Sequence, residues 1–303
     1  MYFGSQSFNV EYLKLLRPKH WAKNLFLFIP LFFGGEFLNV AKILDVSLGF
    51  IAFSAIASSI YILNDYRDVE DDRKHPKKKF RPIASGAVSK AAALVICFLL
   101  IAGGMTLAYF IRDKFLFVLA IYFFLNVGYS LGLKNIAILD ILILSAGFVL
   151  RVKAGSVISH VPLSEWIIIM VFLLAMFMAI GKRRDDVLLK LESGQDMRKS
   201  IKGYNLELLN VLLALICAVI IVAYFMYSMS RETNLKFGTY RLYYTCLFVM
   251  AGIMRYLQII FVQADSGSPT KILYKDRFIQ IALLLWMASF IAIIYLKDVD
   301  IFK

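Results

Sequence analysis

The feature that most limits what this chain can fold into is the spacing of its apolar residues. They come in blocks of about 18–24, the length an α-helix needs to cross the hydrocarbon core of a bilayer. Nine such blocks run at roughly 22–40, 42–63, 90–111, 114–132, 136–157, 163–181, 207–229, 240–262 and 278–296. Lipid offers no partner to a backbone N–H or C=O, so each block must satisfy its own polar groups, and helices do this. The expected fold is all-α: a polytopic membrane bundle of nine transmembrane helices, in a single integral-membrane domain over residues 1–303. Composition agrees, since 60% of the 303 residues are apolar where a soluble domain would be nearer half. Residues 1–16 lack the apolar core of a signal peptide, so the first span is expected to act as the insertion signal.

The formal net charge is +13. In a soluble protein that excess would raise nucleic-acid binding. Here the positive residues concentrate between spans, so the reading is membrane orientation and contact with anionic ligands or lipids, with no nucleic acid. With the N-terminus cytoplasmic, twenty-three Lys and Arg fall on the cytoplasmic side and eight outside, with Arg151, Lys153 and Arg255 in spans left out. The expected location is the cell (inner) membrane, multi-pass, with the long loops at about 64–89 and 182–206 cytoplasmic. Cys97, Cys217 and Cys246 lie inside apolar blocks, match no ligand spacing and read as small buried hydrophobes.

The first long loop carries the densest chemistry. If the second span continues as helix, Asp65, Asp68 and Asp72 fall at i, i+3 and i+7 and share a face. Three carboxylates on one face repel unless a cation holds them. Oxygen-only ligands suit Mg²⁺, which takes one or two carboxylates plus substrate phosphates. Asn64 adds a neutral oxygen. A basic run follows at once in Arg73, Lys74, Lys77, Lys78, Lys79 and Arg81. Carboxylates for a metal beside cations for phosphate make a diphosphate-binding pattern. An ordinary solvated loop on the positive side explains the lysines but not the regular acidic spacing.

The string Asn64-Asp65-x-x-Asp68-x-x-x-Asp72 resembles the first aspartate-rich motif of the UbiA prenyltransferase superfamily, whose members have nine transmembrane helices. Arg81-Pro82-Ile83-Ala84-Ser85-Gly86 extends the likeness towards its decaprenyl-phosphate phosphoribosyltransferase branch. So do Arg17-Pro18-Lys19-His20-Trp21-Ala22-Lys23-Asn24, Gly147-Phe148-Val149-Leu150-Arg151 and Lys182-Arg183-Arg184. The resemblance covers most of the chain to about residue 205 and implies an integral-membrane transferase. It implies transfer of 5-phosphoribosyl from phosphoribosyl diphosphate to a polyprenyl phosphate, with Mg²⁺, for cell-envelope glycan precursors. In that reading Asp65, Asp68 and Asp72 are catalytic and, with Asn64, hold the metal. Lys23, Asn64, Arg67, Lys78, Arg81, Lys182, Arg183 and Arg184 bind substrate, and membrane lipids surround a chain for which homo-oligomers are allowed.

The second long loop departs from the superfamily pattern. Members that transfer a prenyl group carry a second acidic motif there. Here Lys182, Arg183 and Arg184 precede Asp185 and Asp186, and Lys190 stands where a further acid is expected. Cations bind phosphate without a metal, which favours phosphoribosyl transfer over the alternative, prenyl transfer to an aromatic or quinone-precursor acceptor. A second alternative, an anion transporter, predicts polar residues near the bilayer midplane, whereas the charge here gathers at one face. Asp140, near the start of the fifth span, is expected to border a polar cavity with Tyr129 and Lys134, both further substrate-binding candidates. Arg151 and Lys153 lie deeper, and Arg255 sits mid-span as the stronger cavity candidate.

Overall fold

A computed structural model describes residues 4–74, 78–193, 199–262, 272 and 274–295. The regular structure among them is helical. In chain order it comprises α1 (Gly4–Leu16), a 3-10 helix (Pro18–Phe28), α2 (Ile29–Gly34), α3 (Val40–Arg67), α4 (Val69–Lys74) and α5 (Lys90–Ile111). Then come α6 (Asp113–Leu131), α7 (Leu139–Ser159), α8 (Glu165–Ser193), α9 (Leu206–Met229) and α10 (Arg231–Phe237). A 3-10 turn (Leu242–Thr245) leads into α11 (Cys246–Phe261), and α12 (Arg277–Tyr295) follows. Short 3-10 turns at Lys78–Phe80, Leu133–Asn135 and Lys199–Gly203 punctuate the polar segments.

Eight helices among the described residues are long and apolar enough to cross a membrane. The ninth expected span, the first, is built differently. Pro30 lacks a donor and sits at the start of α2, where it interrupts this apolar block, which forms a 3-10 helix beginning at Pro18 followed by the short α2. Laid end to end the two segments would reach about 31 Å, since a 3-10 helix rises about 2.0 Å per residue, comparable to a bilayer core. The expected termini hold elsewhere to within a few residues, except that α8 runs on to Ser193. Ser89 caps α5 by accepting the Ala92 N–H at 3.2 Å, as its position before the helix predicts.

The chain forms two compact units. The first comprises residues 1–134 and 146–164, the second 135–145 and 165–303, so α7 contributes its first residues to one and the rest to the other. In the first unit Leu27, Phe53, Ile56, Phe115, Leu119 and Ile158 form a fully packed core. Lipid tails are as apolar as leucine, so contact between such helices depends on close fit more than on hydrophobicity. Small residues supply the fit: Gly155 of α7 lies so near the 3-10 helix that a Cβ there would sit 1.9 Å from the Leu27 carbonyl oxygen. Gly104 of α5 meets α3 at Ala52 and Ile56. The second unit packs Leu209, Leu213, Ile216 and Ile220 of α9 with Ile180 of α8 and Ile259 and Ile260 of α11. The three cysteines are buried and free.

Candidate active site

The first aspartate-rich segment lies where α3 ends. Asp68 caps the helix, and α4 resumes one residue later, with the Asp72 N–H donating to the Asp68 carbonyl at 2.8 Å. The four polar residues fall into two rows. Asn64 and Asp68 are one turn apart, and Asp65 and Asp72 occupy the adjoining row about 100° round the helix.

The first row closes on a cation. The Lys134 ammonium donates to Asn64 Oδ1 at 3.2 Å and to Asp68 Oδ2 at 2.9 Å. Asn64 Nδ2 also donates to Asp68 Oδ2, at 3.2 Å, which turns the amide oxygen toward the lysine. The second row holds arginines. Arg17 Nη2 donates to both Asp65 oxygens at 2.6 and 2.7 Å. Arg81 Nη1 bridges Asp65 Oδ1 at 2.9 Å and Asp72 Oδ2 at 2.7 Å. Both carboxylates are 2% exposed, so charges of this kind need such partners. Burial pushes the Asp72 carboxyl upward from its ordinary value, against the pull of Arg81.

This corrects the expectation that Asp65, Asp68 and Asp72 meet at one cation. Arg81 bridges Asp65 and Asp72 while Asp68 faces Lys134, and among the described residues no three acidic, His or Cys side chains converge as a metal cluster. The pair that fits a hard divalent cation is Asn64 and Asp68, two oxygen donors already turned on a positive charge.

The remaining candidates of the first segment are spread more widely. Arg67 is exposed and gives one donor to the Ser130 carbonyl near the end of α6. Lys78 is partly buried within electrostatic reach of Asp72. Tyr129 is partly buried on α6, and Lys23 is exposed on the 3-10 helix. His75 and Lys77 lie outside the described residues.

The second basic segment departs more from expectation. Arg183 is fully buried, with Nε 2.8 Å from Asp140 Oδ2 and Nη1 2.5 Å from Asp186 Oδ2. Asp140 is also fully buried and accepts the Tyr204 hydroxyl at 2.6 Å and the Ser200 hydroxyl at 3.4 Å. Burial and the Asp140 carboxylate both raise the Tyr204 hydroxyl pKa. The same phenol oxygen accepts the Ile138 N–H at 2.5 Å. Arg183 is thus the counter-ion of Asp140 and Asp186, not a surface cation awaiting phosphate. Asp140 is enclosed by Arg183, Tyr204 and Ser200 and does not border an open cavity. Arg184 gives Nε to Asn210 Oδ1 at 2.8 Å and Nη2 to the Ile260 carbonyl at 3.4 Å near the end of α11. That leaves Lys182 as the exposed member of the trio.

Two in-span expectations also change. Arg255 pairs with Asp276, at 2.8 and 3.1 Å, and does not face a buried cavity. Arg151 is the buried cation: it donates to Asn24 Oδ1, the Gly147 carbonyl and the Tyr122 hydroxyl, with the rings of Phe53, Tyr122 and Phe148 within 5.4 Å. Neutral acceptors and ring faces offset its desolvation. Lys153 is exposed. Sequence reading passed over Arg17 and Tyr204 as site residues. Arg17 had a signal, being the first residue of a conspicuous polar stretch ahead of the first span. Tyr204 had none.

Comparison with known proteins gives a consistent likeness. The model of the UbiA prenyltransferase family matches residues 27–189. Decaprenyl-phosphate phosphoribosyltransferase of Mycolicibacterium smegmatis is 34% identical over 294 residues, covering 93% of this chain and 92% of that protein. The protein of the same name from Mycobacterium tuberculosis is 32% identical over 284 residues, covering 91% and 92%. A solved UbiA homolog from Archaeoglobus fulgidus, bound to GPP and Mg²⁺, superposes with a TM-score of 0.68 at 21% identity, covering 94% of this chain and 99% of that one.

Proposed function

The chain belongs to the UbiA prenyltransferase family, and we propose that it transfers the 5-phosphoribosyl group of phosphoribosyl diphosphate to a polyprenyl phosphate, releasing diphosphate, for cell-envelope glycan precursors. The observation that carries the choice of reaction is the likeness, over more than nine-tenths of both chains, to relatives named for that transfer. The rival, prenyl transfer to an aromatic acceptor, needs a second free acidic motif after α8's apolar stretch. Asp186 is spent there on Arg183.

In this reading Asn64 and Asp68 hold Mg²⁺, which supplies positive charge to the departing diphosphate. Lys134 lies on those two oxygens and Lys78 lies within electrostatic reach of Asp72 in the adjoining row, and both receive diphosphate oxygens as charge-assisted donors. The acceptor phosphate is anionic at neutral pH, so its attack on ribose C1 needs no strong general base. Positioning and stabilisation of an oxocarbenium-like state do the remaining work. The segments at about 64–89 and 182–206 face the cytoplasm, where the soluble donor is found, and the basic bias supports that orientation.

The test offers membranes containing the protein labelled phosphoribosyl diphosphate with polyprenyl phosphate and Mg²⁺, and in parallel a prenyl diphosphate with 4-hydroxybenzoate. The expected result is labelled lipid that disappears in Asp68→Ala. Prenylated aromatic product without labelled lipid would overturn the reading.

A further inference from the structure

Asp65 is one of two buried acids of the first segment, and both of its oxygens face arginines. Arg17 takes both of them and Arg81 takes Oδ1 as well. A guanidinium carries five N–H donors in a fixed fork. Arg17 spends Nη2 on Asp65, and Arg81 spends Nη1 on Asp65 and Asp72. Among the described residues no hydrogen bond is made by Nε or Nη1 of Arg17, nor by Nε or Nη2 of Arg81. Both side chains are partly exposed, at 20% and 24%. One buried carboxylate therefore fixes two guanidinium groups beside each other, each with donors to spare.

The position of Arg17 is held at a cost. Its backbone is left-handed, φ 53° and ψ 57°, at the junction of α1 with the 3-10 helix. A non-glycine residue there is strained, and such strain persists only where surroundings over-determine it. Three residues on one face of α3 supply the constraint: Ser58 donates to the Leu16 carbonyl at 2.8 Å, the Tyr61 ring lies 5.0 Å from the guanidinium carbon, and Asp65 receives the fork.

We propose that Asp65 is the hub of a two-arginine anion site in which Arg17, together with Arg81, binds a phosphomonoester. The paired forks suit a dianionic phosphate with three free oxygens better than they suit a carboxylate or a neutral ligand. The inference rests on the proposed phosphoribosyl transfer, in which two substrates carry such a group: the 5-phosphate of the donor and the phosphate of the polyprenyl acceptor. Asp65 is then a positioning residue, acting through Arg17 and Arg81, and Arg17 is a substrate-binding residue.

The experiment measures kcat and KM for donor and acceptor separately in purified wild type, Arg17→Lys and Arg17→Met, with melting temperature as the check on folding. Titration of inorganic phosphate and of ribose 5-phosphate by calorimetry runs alongside. A lost charge-assisted hydrogen bond is expected to raise KM roughly tenfold or more for one substrate in Arg17→Lys, with kcat and melting little changed. A rise for the donor, with weaker ribose 5-phosphate binding, assigns the site to the 5-phosphate. A rise for polyprenyl phosphate alone assigns it to the lipid. Lower melting or folded yield with both KM values at wild-type level makes the Arg17–Asp65 pair a fold tether only and overturns the inference. If wild type makes no labelled lipid, the proposed reaction fails, and the calorimetry decides the anion site by itself. Phosphate binding that Arg17→Lys weakens keeps the site, and binding equal in all three proteins, or absent from all, removes it.

Discussion

Arg183 and Arg184 are neighbours in sequence, but their charges are used differently. Arg183 and Asp140 have no access to solvent, and among the described residues they are compensated by each other, Asp186 and the Tyr204 and Ser200 hydroxyls. Removing one partner of a buried pair leaves an uncompensated charge, at a cost of about 3–5 kcal/mol. Arg183→Met and Asp140→Asn should therefore each lower the melting temperature of the purified protein sharply, and the double variant should fall by less than their sum. Strict additivity would mean that the pair is not coupled. Arg184→Met should cost less, because Asn210 and the Ile260 carbonyl are neutral and can rehydrate. This is also where residue-level reading failed. A Lys-Arg-Arg run at a membrane boundary looks alike whether its cations face solvent or an acid, and Asp140 lies in a different span. By contrast, Asn64 and Asp68 were legible as candidates because they belong to one regularly spaced polar string, although their pairing was not. Lys134 was legible as a lone cation between two apolar blocks, but it was expected beside Asp140 and Tyr129, not on Asn64 and Asp68.

The helices themselves followed from hydropathy almost residue by residue, as at Lys90–Ile111. The failures at this scale have a common cause: an apolar block records how much chain lies in lipid, not which helix it forms or how far it continues into water. Hence α8 outruns its block to Ser193, and the first block becomes a 3-10 helix with α2. Close helix contact was equally hidden, because a glycine inside a span reads the same whether or not a backbone faces it. Gly155 and Gly103 separate the two cases. At Gly155 a Cβ would stand 1.9 Å from the Leu27 oxygen and 2.7 Å from its carbon, both backbone atoms that cannot swing aside. At Gly103 a Cβ meets nothing within 4 Å. Gly155→Ala should force α7 off the 3-10 helix and cut the yield of folded protein severely. Gly103→Ala should hold or raise stability, by up to about 1 kcal/mol from helix propensity. Equal behaviour of the two in a thermal melt would refute the close approach. Ile138 offers a third reading at this scale. A β-branched residue at φ 69° is strained, and its side chain is more than half exposed. Ile138→Gly should relieve that strain and raise the melting temperature, while Tyr204→Phe, which removes the hydroxyl that accepts the Ile138 N–H and bonds Asp140, should lower it. A lower melting temperature in Ile138→Gly would show that the side chain matters more than the backbone.

For the molecule as a whole, fold and family were open to a sequence reader because both rest on features repeated along the chain: apolar blocks, and polar strings at their ends. The reaction was not, because the basic second segment that pointed toward phosphoribosyl transfer is largely consumed by internal pairing. The weight now falls on the likeness to phosphoribosyl-transferring relatives and on the arginines around Asp65. What the whole chain does predict independently is its orientation. Counting Lys and Arg at or beyond the span ends, twenty-three fall on one side under alternating topology, against eight on the other. Insertion favours the richer side as cytoplasmic. Cysteine labelling can read this directly, since Cys97, Cys217 and Cys246 are buried and should give little background. Lys79 and Arg231 are both exposed and fall on opposite sides of that topology. A membrane-impermeant maleimide added to intact cells stripped of their wall should label Arg231→Cys and spare Lys79→Cys until the membrane is opened. Labelling of Lys79→Cys in sealed cells would invert the chain. It would also move the first aspartate-rich segment to the side lacking the soluble phosphoribosyl donor, so the proposed reaction would fail along with the orientation.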